Sequence, residues 1–171
     1  MLRTIAIAIL GAALGGAVAA EDAKPDRTVW LSMAATEDCH RADGDEANCV
    51  RFIGCYGSDG DWFEGTSRGW NEGRMQVRSF AGQRCSGRFD YRPMLDMCRA
   101  QIVCNGGEAA QITFFSRGGD TDVVSGHGIT DQGTRIVFYS GTMLAAFLRT
   151  RSDTGNTNMI ACGPTKLVIA D

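Results

Sequence analysis

Apolar and polar residues alternate along most of this chain in short runs separated by glycine-containing turns. RCSGRFDYR at 84–92 is the clearest run. Cys85, Gly87, Phe89 and Tyr91 fall on one face, and Arg84, Ser86, Arg88, Asp90 and Arg92 on the other, because successive side chains of a strand point to opposite sides. Further strands are expected at 28–34, 50–55, 62–66, 74–80, 100–104, 110–116, 123–128, 135–140, 143–149 and 158–162. The stretch 142–148 reads equally well as strand or helix, and PMLD at 93–96 as one helical turn. Turn signals stand at 58–60, 71–73, 81–83, 105–107, 118–120, 131–133 and 153–156. About ten short strands at roughly 8–12-residue spacing predict an all-β fold, a disulfide-braced antiparallel barrel or sandwich.

One pattern occurs twice. CVRFIGCYGSDGDWFEGTSRG, Cys49 to Gly69, and CRAQIVCNGGEAAQITFFSRG, Cys98 to Gly118, match without a gap at seven of 21 positions. Ordinary residue frequencies would give roughly one or two matches. Ile160-Ala161-Cys162 echoes Ile53-Gly54-Cys55 and Ile102-Val103-Cys104, which would suit three units around a quasi-symmetric barrel.

The first 20 residues, MLRTIAIAILGAALGGAVAA, carry Arg3, an apolar run and small residues before Glu21. They read as a signal peptide and not as a membrane span. A single secreted β-domain is expected over 21–171, with 21–27 disordered, and it would be periplasmic or extracellular, with no membrane span after cleavage. The whole chain has a net charge of −3, one unit more negative without Arg3, so no nucleic-acid partner is expected. Lys24 and Lys166 are the only lysines, so nearly all positive charge is arginine.

Seven cysteines in an exported chain read as a disulfide framework with one left over. Cys39–Cys49 would close an acidic loop, and Cys85–Cys104 could join antiparallel strands. Cys49 and Cys55 would lie about 20 Å apart along one strand, too far to bond each other, and the same holds for Cys98 and Cys104. Cys39, Cys49, Cys55, Cys85, Cys98 and Cys104 are the expected disulfide residues, with connectivity beyond the first two pairs open. Neither His40 nor His127 completes a zinc set, and the acidic loop lacks the order of a calcium loop. No cofactor or metal is expected.

The candidate binding surface is the hairpin 74–92. An odd loop keeps Met75 and Val77 on the face of Cys85 and Phe89, and a three-residue loop, Ala81-Gly82-Gln83, would pair Phe80 with Arg84, Met75 with Phe89 and Gln76 with Arg88. Arg74, Arg78, Arg84 and Arg88 then share the outer face with Asp90 as its only acid, Arg92 lies beyond them, and Trp70 stands just before. Such a face suits an anionic envelope glycan, a lipid phosphate or an acidic protein surface. The short glycine hairpins and Cys-bearing strand between Ile102 and Ser116 are similar to small exported β-barrel inhibitors of lysozyme. That resemblance implies an inhibitor-like binding role and carries no site residue over. The leading expectation is a non-catalytic exported binding module for an unidentified macromolecule. A hydrolase using His127 or the Asp59, Asp61 and Glu64 cluster, and a structural component joined through the odd cysteine, are the alternatives.

Overall fold

A computed structural model describes residues 26–34, 36–95, 97–116, 123–151 and 158–170. The segment read as a signal peptide and the turn signals at 118–120 and 153–156 lie outside the described residues. Eight consecutive antiparallel strands form a closed barrel: β2 (Cys49–Tyr56), β3 (Asp61–Gly69), β4 (Glu72–Ser79), β5 (Arg84–Arg92), β6 (Met97–Cys104), β7 (Ala109–Ser116), β8 (Val124–Thr130) and β9 (Arg135–Ser140), with β9 pairing back onto β2. The all-β expectation holds, as a barrel rather than a sandwich. A one-turn 3-10 helix at Pro93–Leu95 joins β5 to β6.

Outside the barrel lies a three-stranded sheet. Its strands are β1 (Arg27–Ser32), β10 (Met159–Cys162) and β11 (Thr165–Ala170), in the order β1-β11-β10, with β1 parallel to β11. Strand β11 has no counterpart among the expected strands, although TKLVIA alternates as a strand should, with Thr165, Leu167 and Ile169 buried. The ambiguous segment near 144 is a helix, α1 (Leu144–Arg151). Leu144, Phe147 and Leu148 recur at three- and four-residue spacing and pack on the core, which is the period of a helix face and not of a strand.

Two apolar cores follow. The lumen holds Phe52, Phe63, Met75, Ile102, Ile112 and Phe138, among others. The second core lies between the outer wall and the small sheet, where Ile53, Cys55 and Trp62 meet Leu144, Phe147, Ile160, Cys162, Leu167 and Ile169. Eight strands make a barrel just wide enough for side chains to fill, and large residues inside face glycines across the strands. Phe52 lies opposite Gly65, Gly54 opposite Phe63, Gly73 opposite Phe89, and Phe114 opposite Gly126. A Cβ on Gly73 would sit 2.6 Å from the Phe89 ring, closer than real Cβ atoms come. The strand glycines therefore make room for rings.

Three disulfides brace this arrangement: Cys39–Cys49, Cys55–Cys162 and Cys85–Cys104. Cys162 takes the place expected of Cys98, which is a free buried thiol. On β6, Cys98 faces the lumen with Ala100 and Ile102, and its cross-strand neighbours are Tyr91 and Phe114, so no second sulfur lies opposite. Burial pushes this thiol up to about 12, with the Asp90 charge adding to the effect. This thiol is 6% exposed and turned into the lumen, away from the outer surface where the alternative of a linkage through the odd cysteine would place it.

Candidate functional site

The β4–β5 hairpin keeps the expected faces but slips by two residues. Met75 pairs with Gly87, Gln76 with Ser86 and Val77 with Cys85, where Met75–Phe89 and Gln76–Arg88 were expected. The loop keeps the expected three residues but sits one position earlier, at 80–82: the Ser79 N–H donates to the Gln83 carbonyl at 2.9 Å, the Gly82 N–H to the Ser79 carbonyl at 2.9 Å, and Gly82 takes φ 83°. Phe80 leaves the strand because its ring stacks on Trp62, 5.9 Å between centroids, under the Arg27 guanidinium 3.8 Å above it.

The true register sharpens the arginine surface. Arg74 lies directly opposite Arg88, and Arg78 directly opposite Arg84. Strand β3 then adds Arg68, which pairs with Arg74, so Arg68, Arg74 and Arg88 form one row across three strands about 4.8 Å apart. Arg68 lies in the repeat and not in the hairpin, and only the β3–β4 register brings it here. Like charges directly opposite each other destabilise a sheet, yet all five of these arginines are exposed.

Acids border the surface on two sides. Glu72 pairs with Asp90 at the barrel rim, so Asp90 is not the only acid on this face. Glu64 lies across from Arg78, but its carboxylate meets Arg51 at 3.7 Å. Asp90 turns to Arg92 at 3.4 Å. Among the described residues, no carboxylate forms an ion pair with Arg74, Arg78, Arg84 or Arg88. Trp70 is 40% exposed at the β3–β4 turn and shares a shallow depression with Arg68, Arg74 and Arg88.

The candidate catalytic residues do not converge. His127 is exposed on β8, and its cross-strand neighbours are Thr113 and Val137, neither of which serves as an acid or base. Asp59 is exposed in the turn after β2, Glu64 faces outward beside Arg51, and Asp61 lines the lumen. Asp61 meets instead a group that the sequence did not single out. The Tyr56 hydroxyl donates to Glu108 at 2.5 Å in the same end of the lumen, around a cavity of about 120 Å³. That hydrogen bond raises the Tyr56 hydroxyl above its ordinary value, with burial and the nearby Asp61 charge acting in the same direction. Among the described residues, no cluster of three metal-ligating side chains occurs.

No family model matches the chain, and no curated protein matches it. Among solved structures it is similar to two redesigned β-barrels, mFAP1 and mFAP0, each bound to DFHBI. They show 14% and 13% identity and TM-scores of 0.45 and 0.44, over 56% of this chain and 94% and 97% of theirs. A fluorescence-activating β-barrel designed de novo is 17% identical over 62% of this chain and 97% of its own, with a TM-score of 0.44.

Proposed function

We propose that this protein is a non-catalytic binding module that engages an anionic macromolecule through the outer arginine surface of β3, β4 and β5. The observation that carries the reading is the direct opposition of Arg74 to Arg88 and of Arg78 to Arg84. Two like-charged pairs on one hairpin cost local stability, and an anion with several negative groups, such as a sulfated or carboxylated glycan, would relieve that cost. Guanidinium forks suit such groups because they donate two parallel hydrogen bonds. Export fits the same picture: three disulfides belong to an oxidising compartment, and among the described residues no helix is long and apolar enough to cross a membrane.

The test is retention on immobilised dextran sulfate at low salt. Replacing Arg74, Arg78, Arg84 and Arg88 together with Ser is expected to weaken retention by more than about tenfold, or roughly 1.4 kcal/mol, and added salt should release the parent protein. Retention that survives this substitution would overturn the reading.

A further inference from the structure

We propose that the barrel lumen at the Trp70 end is a binding site for a neutral aromatic molecule of one or two rings. This site is separate from the outer arginine surface and does not rest on it. A cavity of about 220 Å³ occupies that end of the lumen. An engineered apolar cavity of about 150 Å³ is large enough to hold benzene and stays free of water. The larger volume here therefore accommodates a bicyclic ring system such as indole.

The walls favour rings. Trp70, Phe89, Tyr91, Phe114 and Phe138 surround the space with the Cys98 thiol, and aromatic faces pack well in offset or edge-to-face arrangements with another ring. Deeper in, Phe52, Met75, Ile112 and Phe138 are fully buried and fill the middle of the barrel, so the space ends there and does not run through as a channel.

The polar groups at the wall point to a neutral ligand. Asn48 is already engaged, donating to the Gly69 carbonyl at 2.8 Å and accepting from the Ala42 N–H at 2.9 Å. Ser67 donates to the Val50 carbonyl at 3.3 Å and Ser140 to the Arg51 carbonyl at 2.9 Å. The two hydroxyl oxygens keep lone pairs, so they can accept one hydrogen bond from a ligand N–H or O–H. Among the described residues, the single charged side chain at this cavity is Arg41, whose guanidinium is held by Asp43 at 2.5 Å. On the outer side of the same barrel end, the Glu72 and Asp90 pair stands beside the Arg68, Arg74 and Arg88 row, so charges of both signs lie outside the wall and not in the cavity. A neutral ring with one donor, of the phenol or indole kind, matches this lining.

The test is a titration of the oxidised protein with indole, followed by backbone amide chemical shifts, with benzoate as the charged control. Saturable shifts are expected at lumen-facing positions of this end, including Phe89, Cys98, Phe114 and Ser140, and benzoate should bind at least about tenfold more weakly. Val124→Phe adds a ring to the wall and should abolish the shifts. If that variant does not fold, Val50→Leu, which adds one methylene, should weaken them. Indole shifts that are absent, that do not saturate, or that fall on the arginine surface or the Tyr56 end would overturn the proposal. Equal binding of benzoate would overturn its claim of neutrality.

Discussion

Strands β2 and β6 carry the same Cys-x5-Cys pattern and face opposite ways. On β2, Cys49, Ile53 and Cys55 point out of the barrel, with Ile53 and Cys55 under the small sheet. On β6, Cys98, Ile102 and Cys104 point into it, where Ile102 joins the lumen core. Turn length accounts for the flip. The β2–β3 hairpin closes at Tyr56↔Asp61 and leaves residues 57–60 in the turn. The β6–β7 hairpin closes with the Cys104 N–H donating to the Glu108 carbonyl, leaving 105–107. An even loop and an odd loop give paired strands opposite relations between sequence parity and face. Ser67, opposite Met75, thus faces inward at the far end of β3 while the cysteine strands have exchanged sides. The result is that Cys55 ties the barrel to β10, whereas Cys104 braces one barrel hairpin.

The largest expected effects test this division of labour. In the chain-entropy picture, removing Cys55–Cys162, whose partners are 107 residues apart, costs about 5 kcal/mol, against about 3 kcal/mol for Cys85–Cys104 with 19. Urea denaturation of the Cys55→Ala/Cys162→Ala and Cys85→Ala/Cys104→Ala variants measures both. Equal losses would mean that the link to the small sheet adds nothing beyond a local brace.

Next come the outward faces of the two strands. Ile53 is buried under the small sheet and Val103 is 54% exposed. Ile53→Ala should therefore cost about 3 kcal/mol and Val103→Ala less than about 0.5 kcal/mol, read as shifts in the unfolding midpoint. A large loss at Val103 would show that the β6 wall is also covered.

A smaller loss than that at Ile53 is expected at the inward end of β2, at Tyr56. Tyr56→Phe removes the bond to Glu108 and should cost about 1 kcal/mol. The folded state keeps the phenol proton above the ordinary value of 10.0. The contribution is therefore complete below about pH 10 and is lost as pH rises through the raised value. The parent protein should lose more stability than Tyr56→Phe as pH rises above about 10, and identical alkaline profiles would contradict this.

Much of the barrel was legible because strand alternation is a local property. The run 84–92 coincides with β5, and 135–140 with β9. The cross-strand bridge at Cys85–Cys104 followed from the same reasoning. The arginine face was legible for the same reason, since parity alone puts Arg74, Arg78, Arg84 and Arg88 on one side. Arg68, Glu72 and Glu64 entered the surface only through the register of β3, β4 and β5. The lumen cavity left no local signal, because its lining is gathered from strands spread along the whole barrel and from the loop before β2.

By itself the sequence determined an all-β, disulfide-braced chain and which residues share a side of each strand, since period-two alternation and turn residues act over a few positions. Only the tertiary structure decided which side is inside. That choice depends on turn parity, on the closure of β9 against β2, and on a parallel pairing of β1 with β11 at the two ends of the described chain. The same distant contacts gave Cys55 its partner and left Cys98 without one.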